Sequence, residues 1–194
     1  ERRSVQPLNI AVIGGGSTYT PELVEGLIRY FDELPVGRIA LRNALADRAT
    51  ARFPVVGNGK VVGVVNLDMP ILTYDFTDVV AFGAEHSTLG PIVASAAARD
   101  KVTLSPDPMP EEGLFTRSDH YRFVQRGIPS VFLMTGFAGA GEKSFRGFLA
   151  THYHRVSDDL AQPFNWEAGA KFARINMLIA TEIANAPEAP KWYE

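Results

Sequence analysis

The chain has 194 residues, 46% of them hydrophobic and 21% charged, with 17 glycines and 13 prolines, a globular composition that excludes a disordered tail and a collagen-like fibre. A formal net charge of -3 gives no general attraction to phosphate backbones or anionic lipid, so neither nucleic acid nor a membrane is an expected partner. With no cysteine, disulfides, thiol nucleophiles and Cys-ligated zinc are excluded, and His, Asp and Glu remain as the strong metal ligands.

Leu8-Asn9-Ile10-Ala11-Val12-Ile13 is a nearly continuous apolar run, which predicts a buried parallel strand entering the turn Gly14-Gly15-Gly16. Thr20-Pro21-Glu22 supplies a cap, a proline suited to a first helical turn and an early acid, so a helix is expected to about Leu34. Val36 to Leu41 predicts a second strand, and about 42–58 carries no readable pattern. Val61 to Leu67 is the next apolar strand and delivers Asp68 at its C-terminal end. Asp78 to Phe82 predicts a further strand, Ser87 a cap for a small-residue helix through Ile92, Val93 and Ala96, and Val102 to Leu104 a short strand. Ser118 is expected to cap a short helix through Phe123 and Val124, and Pro129 to Met134 reads as one more buried strand. No element is predicted over 135–164, an interval long enough to suggest a functional loop. Trp166 to about Ala186 closes the pattern as a helix with Phe172, Ile175, Leu178, Ile179 and Ile183 on one face. Alternating strands and helices predict an α/β fold, a three-layer sandwich with a mostly parallel or mixed sheet and a Rossmann-like first βαβ unit. No apolar run approaches the roughly 20 residues of a membrane span, and Glu1 to Val5 lacks a signal-peptide apolar stretch, so a soluble chain is expected.

Three places in this pattern could carry chemistry. A strand, three glycines and a capped helix can hold a phosphate on backbone N–H groups. Tyr19 stands where the dinucleotide fingerprint starting at Gly14 needs its third glycine, so a turn that merely packs a helix close to the sheet reads equally well. Asp68 lies at the strand edge where open α/β sheets place ligands, or it caps a turn. His152-Tyr153-His154, followed by Ser157-Asp158-Asp159, is either a metal-ligating loop or a solvated polar one. Ser118-Asp119-His120 is accounted for by helix capping, with Asp119 in the first turn.

The stretch from Ile10-Ala11-Val12-Ile13-Gly14-Gly15-Gly16-Ser17-Thr18-Tyr19-Thr20-Pro21-Glu22 through Glu33-Leu34-Pro35-Val36 resembles the N-terminus of the NAD-dependent family-4 glycosidases of the 6-phospho-glucosidase type, over about residues 8–41. That resemblance implies NAD contact by Gly14, Gly15, Gly16, Ser17 and Thr18, with Asn43 at about the place where an acid should hold the ribose. Nothing later resembles that family's metal motif or sugar-binding part.

A second set of motifs resembles a different family. Val65-Asn66-Leu67-Asp68-Met69-Pro70, Ala81-Phe82-Gly83-Ala84-Glu85-His86-Ser87, Thr116-Arg117-Ser118-Asp119-His120-Tyr121, Gly127-Ile128-Pro129 and Tyr153-His154-Arg155-Val156-Ser157-Asp158-Asp159 are similar to successive landmarks of the di-zinc aminopeptidases of peptidase clan MH, family 28, over about residues 50–194. The resemblance implies peptide hydrolysis by a zinc-activated water, with Asp68 and His154 as metal ligands and Asp119 in support. The family takes its other His ligand, its bridging Asp and its catalytic Glu-Glu pair from a half preceding this region, which has no counterpart here. Glu111-Glu112 imitates that pair but follows Asp68 and a proline-rich loop, and Glu112 is the residue by which a catalytic role would enter.

The two resemblances together predict one α/β domain built of two segments, a Rossmann-like 1–45 and a zinc-exopeptidase-like 46–194, in the manner of an engineered or recombined chimera. They predict a partial zinc site that is inactive or weakly active, with NAD as the alternative cofactor. A scaffold with no activity is a further alternative. A peptide or small molecule is the expected ligand, and a poorly matched sheet edge makes a homodimer conceivable.

Overall fold

The computed structural model describes residues 61–194 in full, together with the backbone of 8–13 and 36–42. The chain divides into two compact units, Glu1–Val62 and Gly63–Glu194. In the first, β1 (Leu8–Ile13) pairs in parallel with β2 (Val36–Arg42), Ile10 opposite Ile39 and Val12 opposite Leu41. The expected turn at Gly14 to Thr18, the helix to Leu34 and Asn43 lie outside the described residues.

The second unit carries a four-stranded sheet ordered β3 (Val64–Leu67), β6 (Ser130–Thr135), β4 (Asp78–Phe82), β5 (Thr103–Ser105). β3 runs parallel to β6 and β4 parallel to β5, while β4 and β6 are antiparallel, so the sheet is mixed and the α/β class expected from the sequence is correct. Every residue of β4 and β6 is buried. Because successive side chains of a strand face opposite ways, both faces of the sheet centre are covered.

Helix α1 (Leu89–Arg99) buries Leu89, Val93, Ala96 and Ala97, and helix α4 (Trp166–Asn185) buries Phe172, Ile175 and Ile179 at helical spacing. The small side chains of α1 let the two helices pack together, and polar clamps tie their rims. Arg174 donates to both carboxylate oxygens of Asp100 at 2.6–2.9 Å, and Arg99 pairs with Glu182 at 3.0 Å. Asn165 caps α4 by accepting from the Ala168 N–H at 2.9 Å, and the helix stops at Ala186, held extended by Pro187. The chain then returns to the start of α1: Thr88 N–H donates to the Lys191 carbonyl, and Trp192 bridges to Ser87.

Three expectations are corrected. Residues 135–164 are not one long loop, because helix α3 (Gly141–Thr151) occupies their middle, burying Phe145 and stapled by Arg146 to Glu142 at 2.9 Å. Its two glycines masked the pattern, and Gly141 is required there since any Cβ would collide with the Gly136 carbonyl. Ser118 does not cap α2 (Tyr121–Val124), whose N-cap residue is His120 and makes no side-chain capping bond. Thr88, not Ser87, is the N-cap residue of α1, although the Ser87 hydroxyl accepts from the Leu89 N–H at 3.3 Å.

Candidate functional site

The C-terminal ends of β3 and β6 and the N-terminal end of β4 share one end of the sheet. Leu67 pairs with Leu133 and Val79 with Thr135, so Asp68 and Asp78 lie at the same end with β6 between them. This is the end at which open α/β sheets hold ligands.

Asp68 is exposed and takes one strong bond there. Ser118 Oγ donates to its Oδ2 at 2.6 Å, and Asn66 Nδ2 donates to Ser118 Oγ at 2.8 Å. Because Asn66 occupies a lone pair of the hydroxyl, the Ser118 proton is directed at the carboxylate, and Asp68 is oriented, its other oxygen taking no hydrogen bond among the described residues. Asn66 and Asp68 are two residues apart along an extended stretch and so share a side. Asp119 adjoins this group. Partial burial, and then the negative charge of Asp68, raise its carboxyl above the ordinary carboxylate range.

His120 is the feature that sequence reasoning missed. Its ring is 1% exposed, packed at centroid distances of 5.2 Å from Phe115 and 5.5 Å from Phe132, and neither ring nitrogen makes a hydrogen bond of good geometry. Burial lowers its pKa from 6.5 to about 4, against the smaller opposing effects of the Phe115 backbone and the Asp68 charge. The ring is therefore neutral at pH 7. The only hint in the sequence was its place in a Ser-Asp-His run before Phe123.

The other predicted residues fall elsewhere. His154 is exposed, with its ring stacked on Tyr153 at 3.9 Å, and among the described residues no hydrogen bond or ion pair joins it to Asp68. It has a left-handed backbone, φ 57°, and Met69, directly after Asp68, has φ 31°. Such conformations are costly for non-glycine residues and concentrate at functional sites. Glu112 ends a 3-10 turn (Pro110–Glu112) and is bound by Arg117 Nη1 at 2.9 Å, a surface ion pair rather than a poised base. Gly14, Gly15, Gly16, Ser17, Thr18 and Asn43 lie outside the described residues. Among the described residues no group of three His, Asp or Glu side chains gathers to hold a metal, so these residues alone do not fit a closed zinc site. Among them, too, no helix is long and apolar enough to cross a membrane.

Comparison with known proteins gives two unrelated likenesses. The chain is 65% identical over 34 residues to a probable 6-phospho-beta-glucosidase of Bacillus subtilis (strain 168), and 56% identical over 36 residues to a 6-phospho-beta-glucosidase of Escherichia coli (strain K12). These matches cover 18% and 19% of this chain and 8% of each relative, so the chain spans only a small fraction of the curated relatives it matches. No solved structure matches it significantly. The family model for Peptidase family M28 matches residues 49–180, a span that takes in Asp68, Ser118, Asp119 and His154, and the chain belongs to that family.

Proposed function

We propose that this chain is a zinc-aminopeptidase-like domain that receives a peptide at the Asp68 end of the sheet, with Asp68 and His154 as two zinc ligands and Asp119 behind them. The observation that carries this reading is the Asn66–Ser118–Asp68 hydrogen-bond chain, which orients one carboxylate and leaves an oxygen available. Membership of Peptidase family M28 supports it, as do the left-handed residues at Met69 and His154. Zinc, when bound, would supply an activated water for attack on a peptide carbonyl. Two ligands would hold the ion weakly, and Glu112 is engaged by Arg117, so slow zinc-dependent turnover is the expected level. The test is zinc-dependent release of chromophore from leucine p-nitroanilide, expected to vanish in Asp68→Ala and His154→Ala. No turnover at any zinc concentration would end the enzyme reading and leave an inactive scaffold.

A second reading concerns the first unit. The parallel β1–β2 pair, joined through a segment that contains Gly14-Gly15-Gly16, supports a nucleotide-binding module contacting NAD through Gly14 to Thr18 and Asn43. Calorimetry with millimolar NAD decides it, an absence of heat counting against it. The two likenesses also support a joined origin for segments 1–45 and 46–194. As one domain they should melt in a single calorimetric transition, whereas two separate transitions would refute the single-domain reading.

A further inference from the structure

Ser118, which holds Asp68, sits on a segment with few ties to the sheet. Residues 110–122 form two 3-10 turns, Pro110–Glu112 and Leu114–Thr116, and the start of α2. Among the described residues, their backbone groups bond to other backbone only within 109–125. The hydrogen bonds that leave the segment, again among the described residues, are those joining Ser118 to Asn66 and Asp68. The rest of its docking is apolar packing. Phe115 fills the space that a Cβ on Gly83 would need, and His120 packs on both Phe115 and Phe132 of β6. A piece of chain held by side chains alone can open without unfolding the sheet.

The packing requires an uncharged ring at its centre. His120 is 1% exposed with neither nitrogen in a hydrogen bond of good geometry, so a proton added there would leave a buried charge without a well-placed acceptor. The charged and titratable groups around it do not offset this. The Asp68 charge at the end of β3 favours the proton less than burial opposes it. Asp119, Tyr121 and Arg122 follow on its own segment, where Arg117 is paired with Glu112. His86, paired with Glu85, reaches only the Phe115 ring, and β6 brings no titratable side chain.

We propose that residues 110–122 are an acid-released flap: the neutral His120 ring seats the segment, and taking up a proton unseats it and draws Ser118 away from Asp68. The consequence for a metal site rests on the peptidase reading, whereas the release does not, and the test separates the two. Amide protection factors are measured on the full zinc-free chain between pH 7 and pH 5, for the wild type and His120→Phe. With the ring at about 4 when seated and 6.5 when released, opening should grow about twentyfold over that range in the wild type. Protection over 116–122 should fall by that factor and lie at least about tenfold below that of β6 at every pH. In His120→Phe, which keeps an aromatic ring in the seat, the fall should be under about twofold. His86 and the carboxylates are common to both proteins, so the difference belongs to His120. Equal falls in the two proteins, or none in the wild type, overturn the acid release, and protection over 116–122 equal to that of β6 overturns the flap. The His120 ring resonances of the wild type give a check that needs no variant: titration near pH 6.5 in the folded protein overturns the release. Saturating zinc at pH 7 should then raise protection over 116–122 about tenfold, since an ion on Asp68 favours the state in which Ser118 orients it. Unchanged protection overturns the coupling to a metal site, while the zinc-free series still decides the flap.

Discussion

Asp68 and Asp78 stand at the same end of one sheet, separated by a single strand, and are used in opposite ways. Asp78 is buried with both carboxylate oxygens engaged, whereas Asp68 is exposed with one oxygen held by Ser118. The contrast teaches that a carboxylate's role is set by how many of its acceptor sites the fold has already used. A buried acid with both oxygens bonded holds structure, and an exposed one with a single oxygen bonded can take a ligand.

The largest effect should come from attacking the buried acid. Asp78→Ala strands the Ser105 hydroxyl and the Ala138 N–H in a buried site, and should lower unfolding stability by about 3 kcal/mol in urea titration. Asp68→Ala, by contrast, should stay within about 0.5 kcal/mol of wild type. Equal losses at the two positions would erase the distinction.

A pH series probes His120, which packs beside this end. Its folded pKa is depressed from 6.5 to about 4, so on acidification the unfolded chain takes the proton first. Stability should therefore be unaffected above pH 6.5 and fall as the pH drops from there to about 4, with a slope of at most ~1.4 kcal/mol per pH unit. His120→Phe should flatten that slope and leave the protein as stable or more so at pH 7, because two buried nitrogens without a hydrogen bond of good geometry disappear. A steep slope surviving in His120→Phe would assign it to other groups.

Smaller still, Ser118→Ala should cost under about 1 kcal/mol of stability and, if Asp68 holds zinc as proposed, weaken that binding roughly tenfold, since it releases the orientation of Asp68. Unchanged affinity in a metal titration would show that the hydroxyl does not prepare the carboxylate. Last, Glu112→Ala should shift stability by no more than about 0.5 kcal/mol and leave any hydrolysis intact, as expected of an exposed ion pair. Loss of turnover would restore the catalytic role that its pairing with Arg117 argues against.

Strands β1 and β4 were legible to the residue at their beginnings because each is a compact apolar run with a clear flank, and Asp68 was legible as a strand-end acid. Helix α3 was not, since Gly141 answers to the distant Gly136 carbonyl and only Phe145, Phe148 and Leu149 mark its apolar side. Ser118 misled for a physical reason: the hydroxyl that suits a helix N-cap also suits a carboxylate partner, and only the fold brings Asp68 within 2.6 Å. Asp78 gave a signal that went unread, an acid opening the apolar run Val79-Val80-Ala81-Phe82. Its partners Ser105 and Ala138 lie 27 and 60 residues away, beyond any local pattern. The antiparallel pairing of β4 with β6 is equally nonlocal and had no local trace.

The strand order has a consequence for how the chain is made. β6, the last strand in sequence, lies between β3 and β4, so during synthesis those two strands emerge without the neighbour that joins them. Until residue 135 has left the ribosome, the apolar flanks of β3 and β4 wait unpaired, and the sheet closes only by inserting its own centre. The segment whose arrival completes the core also leads into the Asp78-held loop, which makes nascent-chain arrest before β6 the stage most exposed to wrong pairing.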